Sequence, residues 1–97
     1  MKYAMRNHIT PFEKNPSAFG RYDYSVNDKK KIIAYMKSPE PDTALGLVWD
    51  CVEAKETREE NVGYEDNTFM WSSQDIYHIE KYNAAVTEDF LKHILND

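Results

Sequence analysis

The sequence predicts a small, α-rich α+β domain: three or four helices packed on a short β-hairpin, with an irregular aromatic N-terminal segment. Three observations lead there. Apolar residues recur at helical spacing beside capping residues, once in the first half of the chain and repeatedly in the second. Two short runs of strand-forming residues flank an acidic turn within 62–71. The first 24 residues hold Pro11, Pro16 and Gly20 among scattered aromatics, which deny a long helix.

The elements follow in chain order. The N-terminal segment reads as extended chain and loop, with short strands at Lys2–His8 and Phe19–Tyr24. Ser25 or Asn27 caps a first helix from Asp28 to about Lys37, and Asp28 suits its dipole. Ile32, Tyr35 and Met36 share one face, and Ser38-Pro39-Glu40-Pro41 ends it. Asp42–Glu60 reads two ways. Leu45, Val48, Trp49 and Val52 follow helical spacing, whereas Leu45, Leu47, Trp49 and Cys51 alternate as a strand would. The unbroken polar continuation Glu53–Asn61 favours a helix; Gly46 and the dense Leu47-Val48-Trp49 oppose it. A hairpin follows over Val62–Trp71, with Gly63 at its opening and Glu65-Asp66-Asn67 as its turn. Ser72 or Ser73, with Asp75, starts a helix over Ser73–Tyr82, which Asn83 stops in a left-handed conformation. Thr87 caps the last helix, whose apolar face is Phe90, Leu91, Ile94 and Leu95.

Ninety-seven residues make one domain, 1–97, large enough for a core without staples. With a single cysteine, Cys51, a disulfide framework and a Cys-rich zinc site are excluded. No apolar run approaches a membrane span, and the start of the chain lacks a secretory pattern. A cytoplasmic protein is the expectation.

Charge is sorted by position. Residues 1–37 hold eight Lys/Arg and three Asp/Glu; residues 38–97 hold four Lys/Arg and fourteen Asp/Glu. Such asymmetry sets a long-range field that biases which partners approach. If 50–60 is helical, Glu53, Glu56 and Glu60 line one face, with Glu59 adjacent. Together with Tyr64, Glu65 and Asp66 they form the candidate partner-binding surface, suited to a larger protein with a basic surface. The alternative is nucleic-acid binding through Arg6, Arg21, Lys29, Lys30 and Lys31 with nearby aromatics, although the acidic half would repel a polyanion. Lys29–Lys31 also stand at the helix end that disfavours cations, so a benefit elsewhere in the chain is expected of them.

No catalytic residue, cofactor site or metal site is expected. His8, His78 and His93 form no ligand pair at short spacing. Cys51 lies among apolar residues and reads as a small buried hydrophobe. Ser72 and Ser73 lack a nucleophile-elbow context, and three separated glycines cannot build a phosphate loop. Trp49, Trp71, Tyr64, Tyr77 and Tyr82 read chiefly as core, with Tyr77 and Tyr82 able to reach the surface. The functional expectation is a non-enzymatic acidic protein-binding module, an inhibitor or modulator of the anti-defence (anti-CRISPR-like) or immunity type found on mobile elements. A bipolar chain can also pair head to tail as a homodimer.

Overall fold

Residues 42–60 build two strands rather than the expected helix. In the computed structural model, which describes residues 1–7, 9, 14–15 and 19–95, β2 (Thr43–Asp50) and β3 (Lys55–Glu65) run antiparallel. Three features of the chain decide this. Gly46 has φ +96°, outside the helical region. Leu47-Val48-Trp49 is an apolar, β-branched and aromatic run that suits a pleated surface. Asp50 then reverses the chain. Its Oδ1 accepts the N–H groups of Val52 and Glu53 at 2.9 and 2.8 Å, and Ala54 takes a left-handed φ of 56°. An aspartate bonded to its own backbone two and three residues on competes with helix. Asp50 is therefore the breaker that the polar run after Val52 lacks.

The hairpin expected at 62–71 is present. β4 (Phe69–Ser72) pairs antiparallel with β3, in the register Tyr64↔Trp71 and Glu65↔Met70. β1 (Lys2–Tyr3) pairs parallel with β4, so the sheet order is β1-β4-β3-β2. Three helices accompany it: α1 (Val26–Met36), α2 (Ser73–Tyr82) and α3 (Glu88–Leu95). Helix and strand are about equal. The fold is thus α+β with a four-stranded mixed sheet, not the helix-rich packing on a short hairpin that the sequence suggested. The difference is the helix lost at 42–60 and the two long strands gained there. Among the described residues, the N-terminal segment adds only β1 and the single bridges Met5↔Val86 and Arg21↔Ala84. His8, Pro11, Phe12 and Pro16 lie outside the described residues.

The helix boundaries follow their capping chemistry. Ser25 Oγ accepts the Asp28 N–H at 3.1 Å. Asp75 Oδ2 accepts from Ser72 N–H at 3.0 Å, and Thr87 Oγ1 accepts the Phe90 N–H at 3.1 Å. Asn83 ends α2 at φ 58°. Where β4 ends, α2 takes over beside β3: Ser73 Oγ accepts the Val62 N–H at 3.1 Å, and Asn61 Oδ1 accepts the Gln74 N–H at 2.9 Å. The Gln74 side chain also bridges the backbone of Trp49, accepting from its N–H at 2.8 Å and donating to its carbonyl at 2.6 Å. These are the two bonds a neighbouring strand would make.

One face of the sheet is core. Phe69 and Trp71 project from β4 onto Phe90 of α3, with ring centroids 5.0 and 5.3 Å apart. Trp71 Nε1–H donates to the Met36 carbonyl at the end of α1, at 2.9 Å. Ile32, Met36, Ile76, Ile79 and Ile94 complete this core, each buried aliphatic contributing about 1.5–3 kcal/mol.

Candidate functional site

Acids and tyrosines first settle what is internal. Asp50, Asp66 and Asp75 use one device three times: one carboxylate oxygen bonds local backbone and the other accepts a tyrosine from a distant element. Asp50 Oδ1 holds the β2–β3 turn, while Oδ2 accepts the hydroxyls of Tyr77 at 2.7 Å and Tyr82 at 2.6 Å. Asp66 Oδ1 holds the β3–β4 turn through the N–H groups of Thr68 and Phe69, while Oδ2 accepts from Tyr35 of α1 and lies 2.9 Å from His93 Nε2 of α3. Asp75 caps α2 and accepts the Tyr3 hydroxyl at 2.5 Å.

The electrostatics follow. Burial would raise the Asp50 carboxyl, but the donors outweigh it, first the Glu53 N–H and then the two tyrosines, and the group stays well below the carboxylate range. Asp66 behaves alike: burial opposes, and Tyr35, the two turn N–H groups and His93 prevail. The partners shift the other way. Burial, then the bond to Asp50, pushes the Tyr82 hydroxyl up to about 12. Tyr77 and Tyr82, read from sequence chiefly as core but able to reach the surface, are half-buried clamps on Asp50.

His78 is fully buried, with Nδ1 at 2.8 Å from the Gln74 carbonyl and Nε2 at 3.2 Å from the backbone N of Cys51. With Nδ1–H donating, Nε2 accepts the Cys51 N–H, so both ring nitrogens are occupied. Burial holds the ring below its ordinary value, and burial likewise raises the Cys51 thiol, the opposite of an activated nucleophile. Among the described residues no group of three or more His, Cys, Asp or Glu is placed to hold a metal.

The predicted binding residues do not share one helical face. In β3 the acids are spread along a strand and its turn, so no helical face of Glu53, Glu56 and Glu60 exists. Glu53 is paired with Lys55 at 2.8 Å and Lys81 at 3.6 Å, and Asp66 is internal. Glu56, Glu59 and Glu60 are exposed and have no ion-pair partner among the described residues. Tyr64 stacks on Trp71 at 6.3 Å. On the basic side, Lys29 donates to the Glu80 carbonyl at 2.9 Å and to Asn83 Oδ1 at 2.8 Å. That bond set at the C-terminus of α2 is the benefit its unfavourable place on α1 implied. Arg21 lies over the Phe19 ring at 5.7 Å and donates to the Tyr82 carbonyl at 3.4 Å. Arg6, Lys30 and Lys31 are exposed. The five basic residues are thus divided between internal roles and open solvent.

What sequence reasoning missed is the second face of the sheet. In a sheet, paired residues share a face, and the registers place Tyr3, Met70 and Glu65 together, and Thr43, Gly63 and Ser72 together. Tyr3, Leu45, Gly63 and Met70 line a cleft of about 510 Å³, and Asp42 and Glu65 stand around it. Leu45 and Met70 are 52% and 45% exposed, so no described element covers them. Among the described residues its charged lining side chains are Asp42, Glu65 and Asp75, with no Lys or Arg. Thr43 and Leu45 lie on this face, whereas the register shift between Ala44 and Leu47 sets Leu47 opposite Glu60, on the other one, so simple alternation along the strand does not trace the cleft. Comparison with protein-family models, curated proteins and solved structures found no match to this chain. No helix among the described residues is long and apolar enough to cross a membrane.

Proposed function

We propose that the chain is a non-enzymatic, acidic protein-binding module that docks on a larger partner with a basic surface and inhibits or modulates it, in a cytoplasmic setting. The observation that carries this reading is the open cleft of the sheet: exposed apolar side chains whose charged neighbours are all acidic. Uncovered apolar area rimmed by polar groups is the usual mark of an interface, and a field of one sign speeds encounter with the opposite sign. Glu56, Glu59 and Glu60, exposed and without an ion-pair partner among the described residues, add negative charge elsewhere on β3. Among the described residues, the buried ionisable side chains have hydrogen-bond partners within the chain.

The test is affinity capture from native lysate, with and without nuclease, using wild-type protein beside Leu45→Lys and Met70→Lys. The expected result is one stoichiometric protein that survives nuclease, is eluted by salt and is lost with either substitution. Capture that vanishes with nuclease, or that neither substitution affects, overturns the reading.

A further inference from the structure

We propose that Gly63 is the seat of a recognition site for one apolar side chain that a partner protein presents next to a Lys or Arg. This rests on the protein-binding reading and names the feature of the partner that is read. The argument starts from the glycines. Gly46 is required by its φ of +96°, and a Cβ on Gly20 would lie 3.3 Å from Arg6 Nη1, so the arginine side chain would have to shift there. Gly63 has neither reason. Its φ is not in the left-handed region, and a Cβ there would meet Leu45 Cδ1 at 3.8 Å and Thr43 Cβ and carbonyl oxygen at 3.9 Å, ordinary contact distances. A glycine inside a strand weakens it and often marks a place where another molecule approaches the backbone closely.

The missing side chain opens the floor of the cleft. Gly63 points to the same face as Thr43 and Leu45, and Met70 walls the neighbouring strand. Half-exposed walls suit a side chain lowered from a flat surface, whereas a small-molecule site buries most of its ligand. Asp42 precedes β2 and Glu65 ends β3. The two strands are antiparallel, so both carboxylates stand at the same end of the trough. A cation placed to one side of the apolar anchor meets them. Pairing by strand addition does not fit, because the free edge strand β2 shifts register between Ala44 and Leu47, and bulged edges resist a further strand.

The experiment is an NMR titration of ¹⁵N-labelled protein with two blocked peptides. One carries a leucine two residues from an arginine; the other has glutamate in place of the arginine. The arginine peptide should shift the amides of Leu45, Gly63 and Met70 and bind at least tenfold more tightly than its counterpart. Gly63→Val should abolish those shifts with the remaining spectrum intact. Met70→Lys, a change at an exposed position, should weaken binding at least tenfold even if the valine variant does not fold. Equal binding of the two peptides, shifts that avoid the cleft, or full binding by Met70→Lys overturns the inference. So do cleft shifts that grow with protein concentration alone, which would make a second copy the occupant. A wild-type protein that captures its partner equally well as a folded Gly63→Val variant defeats this inference and leaves the binding reading standing; a wild-type protein that captures nothing defeats the binding reading itself.

Discussion

Replacing Asp50 with alanine tests the central structural claim, that buried aspartates hold this fold together. Asp50 has no exposed surface and accepts two turn N–H groups and two tyrosine hydroxyls, with Lys81 Nζ at 3.4 Å. Alanine removes every acceptor. Each N–H of the β2–β3 turn left without a partner costs about 1–3 kcal/mol. Tyr77 and Tyr82 are only half-buried and can turn to water, so they add little. The expected loss is roughly 2–5 kcal/mol, against a total near 5–15 kcal/mol for a domain. The melting temperature should fall by roughly 10–30 °C. Urea denaturation followed by tryptophan fluorescence and far-UV circular dichroism measures it. Asp50→Asn retains one acceptor oxygen for the turn and should lose about half as much. Glu56→Ala, exposed and unpaired, should stay within about 0.5 kcal/mol of wild type. A loss under about 1 kcal/mol for Asp50→Ala would refute the reasoning, because it would mean that the turn forms without its carboxylate.

Four further outcomes follow from the same geometry. Asp50 and Asp66 are held below the ordinary carboxylate value, so their stabilisation is complete above the unfolded pKa of ~3.9 and is lost as pH falls from there through their lower folded values; His78, depressed by burial, adds a loss that begins below ~6.5. Stability measured by urea titration should therefore drop most steeply below about pH 4, and Asp50→Asn should flatten that slope. Tyr35→Phe removes a donor to Asp66 and should cost about 1–2 kcal/mol, with the Asp66 carboxyl moving upward in an NMR pH titration. Gly46→Ala, at φ +96°, should destabilise by about 1–2 kcal/mol, whereas Gly63→Ala should be neutral or stabilise by up to about 1 kcal/mol. Ala54→Gly relieves a left-handed alanine and should raise stability by about 1 kcal/mol in thermal denaturation.

Legibility in the sequence divided by the range of the interactions involved. The capping signals were local and could be read directly: Ser25, Thr87 and Asn83 end or start helices where their chemistry says they should. The Asp66 turn was legible for the same reason. Asp42–Glu60 was not, because its apolar spacing satisfies both periods and the deciding bonds run from Asp50 to its own backbone and to α2, 27 and 32 residues away. The acidic face failed with that helix. The cleft was hidden because it needs β1, β2, β3 and β4 side by side, and a parallel pairing of Lys2–Tyr3 with Phe69–Met70 has no local signature.

Three of the acids and four of the tyrosines share one physical role in this fold. Asp50, Asp66 and Asp75 sit where the chain turns or a helix starts, and each ties that point to a tyrosine from elsewhere. Tyr24 makes a related bridge without a carboxylate, donating to the Ala84 carbonyl at 2.7 Å and accepting the Val86 N–H at 3.0 Å. A phenol is well suited to the task, since it carries apolar area into the core and ends in one donor that a carboxylate accepts strongly. It follows that acid density along 50–66 overstates the surface available to a partner. Asp50 and Asp66 support the fold, Glu53 is paired within the chain, and Glu56, Glu59, Glu60 and Glu65 remain outward. Charge reversal at the inner carboxylates should unfold the protein. Reversal at the outer ones should leave the fold intact and change association alone, and only that second set can report on binding.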